Sequence, residues 1–151
     1  MAPIPVPPAL SIAAIEDGDI ADVVALWQRC DLTRPWNDAA ADITLARKGP
    51  NSAVLVGRDG SGVVASVLVG HDGHRGWVYY VAVDPDCQTR GYGRVIMASA
   101  EQWLRGRGIE KLQLMVRSDN TGVQGFYQAL GYLEQERVIY AKWLDGREPM
   151  P

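Results

Sequence analysis

The sequence has few cysteines and no long apolar run, and each shortage argues against a class of protein. Cys30 and Cys87 are too few and too far apart for a disulfide framework or a metal-binding spacing. No stretch of about 18 apolar residues is present, so a transmembrane helix is not indicated. The amino-terminal residues lack the charged and apolar regions of a secretory signal. We therefore expect a cytoplasmic protein with reduced thiols, no bound metal and no membrane partner.

Positive charge is also scarce. The net charge is −3, so the chain has no basic field that would attract nucleic acid. Only three of the fifteen basic residues are lysines, and arginine is the residue better suited to fixed contacts with phosphate or carboxylate. Any anion-binding site must therefore be local.

The length of 151 residues predicts one domain, over residues 10–145, between a proline-rich tail at 1–9 and a second tail at 146–151. Apolar periodicity and turn residues predict a mixed α/β fold in the order β-α-α-β-β-β-α-β-α-β. The predicted strands are residues 10–15, 52–56, 63–69, 77–83, 111–116 and 137–144. The predicted helices are residues 20–29, 38–47, 95–104 and 121–130.

The chain is organised around residues 81–94, where an apolar strand, a polar turn and a glycine-rich helix start follow one another. Backbone N–H groups point outward at such a helix start, and the helix dipole favours negative charge there. Gly91 and Gly93 leave room for a phosphate, and Arg90 and Arg94 add positive charge. From residue types alone, a pyrophosphate cradle and a tight turn with surface arginines are equally compatible with this pattern.

Two common phosphate-binding motifs do not fit. A Walker A loop requires a glycine followed by lysine and then serine or threonine, and the chain has none. A dinucleotide fingerprint requires a third small residue, but Ile96 occupies the position three after Gly93.

Two stretches resemble the motifs of the GCN5-related N-acetyltransferase (GNAT) family. The first, Gln88-x-x-Gly91-x-Gly93, is similar to that family's motif A, Q/R-x-x-G-x-G/A, and it follows a strand as motif A does. The second, similar to N-x-x-A-x-x-F/L-Y-x-x-x-G-F/Y, is Asn120-x-x-Val123-x-x-Phe126-Tyr127-x-x-Leu130-Gly131-Tyr132. Residues 30–38 and 71–76 further resemble the small bacterial YpeA-like branch of the family.

The resemblance implies a GNAT fold with a mostly antiparallel central sheet, flanking helices, and fourth and fifth strands that splay apart. It also implies acetyl-CoA as co-substrate, with no metal, and a homodimer is compatible with it. Tyr127 would be the general acid that protonates the CoA thiolate, although a core aromatic would fit the same helix position. The implied cofactor-binding residues are Val81, Ala82 and Val83 along the pantetheine arm, Gln88, Arg90, Gly91, Tyr92, Gly93 and Arg94 at the pyrophosphate, and Asn120, which would orient the arm.

The general base is the part of the family pattern that this sequence lacks. Many members have a glutamate on the fourth strand, whereas Tyr79 and Tyr80 stand in that region here. A backbone-held water, His74 or Glu136 could replace it. His74 lies in a glycine-rich turn whose composition could suggest a metal or a catalytic triad, but a solvated turn explains it better. The weaker candidates for the acceptor side are Trp36, His74 and Tyr79.

The expected activity is transfer of the acetyl group of acetyl-CoA to a primary amine, either a small amine or a peptide N-terminus. Two alternatives stay open. One is an enzyme of the same fold that acetylates lysine side chains, and the other is a regulatory module that binds CoA without catalysis. The missing glutamate favours an acceptor of lowered pKa, because an α-amine with a pKa of about 8 is partly neutral at physiological pH.

Overall fold

The computed structural model describes residues 9–148, so most of the predicted tail at 1–9 and residues 149–151 lie outside it. The chain divides into two units, Met1–Met115 and Val116–Pro151. A single domain over residues 10–145 stays a prediction.

A mixed sheet forms the centre of the first unit, as the sequence predicts, and it has five strands rather than the predicted six. The strands lie in the order β1-β2-β3-β4-β5, antiparallel from β1 to β4, with β5 parallel to β4. The alternating segments extend further than predicted on both sides of the hairpin turn at Asp59–Gly62, where Gly62 adopts a φ of 108°. The strands are β1 (Ser11–Ala14), β2 (Ser52–Asp59), β3 (Gly62–His71), β4 (Gly76–Val83) and β5 (Leu112–Gln113).

β5 is shorter than the predicted 111–116. Among the described residues, β5 pairs with β4 only at Gly76 and Trp77, the amino-terminal end of β4. The carboxyl-terminal half of β4 therefore has no β5 residue beside it. This is the arrangement expected of two strands that splay apart.

Three helices pack on this sheet at the predicted positions. They are α1 (Ile20–Arg29), α2 (Ala39–Arg47) and α3 (Tyr92–Arg105). Asp38 caps α2 by accepting a hydrogen bond from the Ala41 N–H at 3.0 Å. α3 comes very close to β4 at Gly76, where a Cβ atom would lie 2.5 Å from Leu104 Cδ1. A larger residue at position 76 would require the Leu104 side chain to shift.

The core of the first unit contains a cluster under α1 and α2, and another under the start of α3. Trp27 and Ile43 are fully buried in the first cluster, which Ala82 of β4 also joins. Cys87 and Tyr92 belong to the second, with Val83 packed against it. The apolar end of β4 thus contributes side chains to both clusters, as a strand covered on both faces should.

The second unit contains the predicted fourth helix, α4 (Thr121–Ala129), with Asn120 as its N-cap. The strand predicted at 137–144 is wrong, because these residues form no strand and Val138 and Tyr140 are 81% and 93% exposed. A strand needs a neighbouring strand to satisfy its backbone groups, and the described residues 116–148 include no strand.

Across the described part of the chain, every helix is too short or too polar to span a membrane.

Candidate active site

The turn after β4 has the backbone shape of an anion cradle. Asp84 caps a short 3₁₀ turn, Pro85–Cys87, by accepting a hydrogen bond from the Asp86 N–H at 2.9 Å. Thr89 and Gly91 then adopt left-handed φ angles of 76° and 78°. α3 begins directly afterwards, at Tyr92, with Gly91 as its N-cap.

The start of α3 is open and carries no competing negative charge. Gly91 offers no capping side chain, and the first turn of α3 contains no acidic residue. A Cβ atom at Gly91 would meet nothing within 4 Å, so the space beside this residue is free of protein. Outward N–H groups at a helix N-terminus suit a phosphate group. Arg94, on the first turn, is exposed to solvent beside them.

A buried carboxylate braces the cradle from behind. Asp59, in the β2–β3 turn, accepts hydrogen bonds from the Tyr92 hydroxyl at 2.8 Å and from Arg90 Nη1 at 3.3 Å. Its side chain is only 1% exposed. The Ser61 N–H, followed by the Tyr92 hydroxyl, lowers the pKa of Asp59, which stays ionised. The Arg90 side chain is therefore paired with a carboxylate at the base of the cradle.

Sequence reasoning missed both Asp59 and the side-chain role of Tyr92. Asp59 belongs to an aspartate-glycine turn, and such turns commonly contain aspartate for local reasons. Nothing in the sequence indicates that the start of α3 buries this one. The family resemblance implies Tyr92 only as a residue at the pyrophosphate, yet its ring is buried and its hydroxyl ties the helix to the hairpin.

The end of β4 is held by α1 and by the motif itself. The Val83 carbonyl accepts hydrogen bonds from Cys30 Sγ at 3.3 Å and from Gln88 Nε2 at 3.1 Å. Arg29 forms an ion pair with Asp84 at 2.9 Å. The Gln88 side chain thus folds back onto the strand, which leaves its backbone to shape the cradle.

Residues 30–38 connect α1 and α2 and hold Trp36 half-buried. Arg34 braces this segment internally, because its Nη1 donates to the Asp31 and Thr33 carbonyls at 2.8 Å each. Beyond it, Asp42 of α2 accepts a hydrogen bond from the Tyr80 hydroxyl of β4 at 2.7 Å. The elements on both sides of the segment therefore contact β4.

His74 lies far from the cradle. It precedes β4 and the cradle follows it, and a strand of this length spans about 23 Å at roughly 3.3 Å per residue. Asp72 Oδ1 accepts from the His74 and Arg75 N–H groups at 2.9 and 2.8 Å, so the 71–76 segment is the solvated turn that its composition indicates. Tyr79, partly exposed in β4, has a raised pKa because of burial and the nearby charge of Asp72.

In the second unit, Tyr127 is buried on α4 between two aromatic rings. Phe126 and Tyr132 meet it edge-on, with ring centroids 5.0 and 5.9 Å away. Burial raises the pKa of Tyr127 to about 12, so its phenol is neutral at physiological pH. Asn120 accepts a hydrogen bond from the Val123 N–H at 3.3 Å, as the N-cap residue of a helix commonly does. The structure is compatible with Tyr127 as a general acid and with Tyr127 as a core aromatic. It is likewise compatible with Asn120 as a cofactor contact and with Asn120 as a helix cap alone.

A mixed sheet followed by an open glycine cradle is the arrangement of an acetyltransferase domain, and sequence comparison agrees. The model of the Acetyltransferase (GNAT) family matches residues 20–132. An acetyltransferase of Yersinia enterocolitica is 38% identical over 135 residues, which cover 89% of this chain and 96% of that protein. One of Pectobacterium atrosepticum is 41% identical with the same coverage. The chain belongs to the GNAT family and is an N-acetyltransferase.

Solved structures show the same fold at lower sequence identity. The aminoglycoside N-acetyltransferase AAC(6')-Iy in complex with CoA superposes with a TM-score of 0.78 at 18% identity, covering 93% of this chain and 99% of that one. The ribosomal-protein-S18-alanine N-acetyltransferase from Escherichia coli superposes with a TM-score of 0.72 at 24% identity, covering 92% and 88%. These likenesses establish the fold. The acceptor amines named for those enzymes are properties of those enzymes and are not assigned to this chain.

Proposed function

We propose that this protein transfers the acetyl group of acetyl-CoA to a primary amine, on a small molecule or at a peptide N-terminus. The observation that carries the proposal is the open start of α3 directly after β4. Gly91 presents a left-handed turn with free space before it, and no acidic side chain lies in the first helical turn. Backbone N–H groups of residues 88–94 bind the pyrophosphate of the cofactor.

The pantetheine arm then runs along Val81, Ala82 and Val83. This half of β4 has no β5 residue beside it among the described residues, so one edge of the strand is open to a ligand. Backbone groups that a ligand satisfies avoid the cost of burial without a hydrogen bond. The same edge supplies an N–H near Val83 that stabilises the oxyanion of the attacked thioester.

The reaction is direct attack. The lone pair of the neutral amine forms a bond to the thioester carbonyl carbon, the C–S bond breaks, and the sulfur leaves as a thiolate. Tyr127, whose phenol is neutral at physiological pH, donates a hydrogen bond or a proton to that thiolate. The amine loses one proton to solvent or to a base. An α-amine with a pKa of about 8 needs little help, which fits a fourth strand without glutamate.

Replacing Tyr127 with phenylalanine tests the catalytic role. We expect kcat to fall about 100-fold or more, because general acid catalysis typically contributes that much, while the Kd for acetyl-CoA stays within about twofold. Thiol release gives the rate and calorimetry gives the affinity. The matched control is Tyr140→Phe, since Tyr140 is 93% exposed, and it should behave as wild type.

Two results would change the assignment. A Tyr127→Phe variant with wild-type kcat would remove Tyr127 from the mechanism. A wild-type protein that binds acetyl-CoA but acetylates no amine would be the regulatory CoA-binding module instead. A panel of peptide N-termini, lysine side chains and aminoglycosides separates the acceptor classes, including the lysine-directed alternative.

A further inference from the structure

β4 contains a bulge that includes the first residue of the segment proposed to hold the pantetheine arm. Tyr79 lies opposite Leu68, and Ala82 lies opposite Ser66, so Tyr80 and Val81 together face the single residue between those two partners. Two residues opposite one define a β-bulge, which bends a strand and redirects its groups. Tyr80 adopts a left-handed φ of 52°, which side chains of this size rarely adopt.

Three side chains hold Tyr80 in this conformation. The Trp27 ring stacks on the Tyr80 ring, with centroids 3.7 Å apart and planes 4° from parallel. Asp42 Oδ2 accepts a hydrogen bond from the Tyr80 hydroxyl at 2.7 Å. Ser66 Oγ donates to the Tyr80 carbonyl at 3.0 Å and accepts from Trp27 Nε1 at 2.7 Å. We call Trp27, Asp42, Ser66 and Tyr80 the Tyr80 clamp.

The polar atoms of the clamp are placed where packing alone would not require them. Trp27 and Ser66 are both fully buried. A buried hydroxyl is costly unless both its donor and its acceptor find partners, and an apolar side chain would fill the same space without that demand. Ser66 meets the demand by connecting the Trp27 ring to the backbone of the bulge.

We propose that Asp42 and Ser66 are positioning residues for acetyl transfer, which act by fixing the β4 backbone at Tyr80. The inference rests on the proposed function, because Val81 belongs to the bulge, Ala82 and Val83 follow it, and these three residues would carry the thioester. A displacement of about 1 Å at a reacting group can cost 100-fold in rate. Asp42 lies in α2, so its hydrogen bond also fixes the helix after residues 30–38 to the cofactor strand.

The test compares Ser66→Ala, Asp42→Ala and Tyr80→Phe with wild type, by thiol release and by acetyl-CoA titration. Asp42→Ala and Tyr80→Phe each remove the hydrogen bond between those two residues, whereas Ser66→Ala removes the two bonds that Ser66 makes. We expect kcat to fall about tenfold or more because the thioester is displaced, while the Kd for acetyl-CoA changes by less than about threefold because the cradle is untouched. Asp42→Asn should recover most of the rate, since its amide oxygen can still accept from Tyr80.

The matched control is Ser52→Ala. Ser52 Oγ donates to the Ala46 carbonyl at 2.8 Å, a bond of similar length between β2 and the end of α2 that does not involve β4. This variant should keep the wild-type kcat. Thermal unfolding of every variant sets an assay temperature at which all are folded, so loss of stability alone cannot lower the rate.

Three results would overturn the inference. They are clamp variants with the wild-type kcat, a Ser52→Ala variant as slow as Ser66→Ala, and an Asp42→Asn variant as slow as Asp42→Ala. Failure of the proposed function looks different, because the wild-type protein itself would then bind no acetyl-CoA or acetylate no amine. The wild-type assay therefore separates the two failures.

Discussion

Tyr80 and Gly91 lie on either side of the end of β4 and both have left-handed φ angles, but their surroundings are opposite in kind. Tyr80 has a φ of 52° and is held by a stacked ring and two hydrogen bonds. Gly91 has a φ of 78°, and a Cβ atom there would meet nothing within 4 Å. The first conformation is fixed by the protein interior, whereas the second is left open at the surface.

This difference separates two tasks. A large side chain is strained at positive φ, so Tyr80 keeps that conformation only because surrounding groups stabilise it. Glycine adopts the same region without strain and needs no such support. Under the proposed function, Tyr80 would therefore belong to the rigid part that aligns the reactants, and Gly91 to the part that a ligand completes. Variants on each side should consequently fail in different ways.

Of these variants, Trp27→Ala should have the largest effect. It should lower the free energy of unfolding rather than the affinity of the cradle for acetyl-CoA. Trp27 is fully buried, stacks on Tyr80 and donates to Ser66. Removing such a ring from a core typically costs about 3–5 kcal/mol. Urea unfolding measures the loss. Leu45→Ala is the control, because Leu45 is 69% exposed and should change stability by less than about 0.5 kcal/mol. Equal losses in both variants would contradict this account of the clamp.

Gly91→Ala should have a middle-sized effect, mainly on ligand binding. A side chain at this φ costs about 1–2 kcal/mol, which corresponds to roughly tenfold weaker acetyl-CoA binding if the turn must change to relieve it. Calorimetric titration gives the affinity. Gly60→Ala provides the comparison, since a Cβ atom there also meets nothing within 4 Å but the φ is not positive. Wild-type affinity in Gly91→Ala would argue against the cradle.

Asp59→Asn should have the smallest effect, and the effect should depend on pH. The pKa of Asp59 is lowered in the folded protein, so its stabilising contribution is present above the unfolded pKa of about 3.9 and is lost as the pH falls through the folded pKa. At pH 7 the variant should be the less stable protein, and the gap to wild type should narrow in acid. Denaturant unfolding at several pH values measures it.

The control variant is Asp119→Asn, at an exposed aspartate outside the hairpin. At pH 7 it should change the stability by less than about 0.5 kcal/mol, as surface substitutions usually do. A gap for Asp59→Asn that widened as the pH fell would show that the Ser61 and Tyr92 contacts do not favour the ionised carboxylate.

Local patterns were sufficient to predict most of the fold. The spacing of Ile20, Val23 and Trp27 indicates α1, and the apolar run before Asp84 indicates β4. The second motif likewise marks α4. These signals come from residues close together in the chain, and neighbours in sequence determine helix periodicity and turn chemistry.

What the sequence could not reveal depends on contacts between distant residues. Tyr80 in the bulge forms hydrogen bonds with Asp42 and Ser66. Buried Asp59 forms one with Tyr92, 33 positions away along the chain. The prediction of a strand at 137–144 was wrong for a related reason. The alternation of apolar and polar residues is a local property of the sequence, but a strand also has to pair with another strand, and the local pattern does not show whether one is present.

Thermal unfolding with acetyl-CoA, CoA, ATP and NAD in parallel tests the central claim most directly. A ligand present at 100 times its Kd should stabilise the protein by about 2.7 kcal/mol. We predict a clear rise in Tm with acetyl-CoA and CoA, none with NAD, and a smaller rise for Gly91→Ala at the same concentrations. No rise with either CoA compound would contradict the cradle at residues 88–94 and, with it, the proposed acetyl transfer.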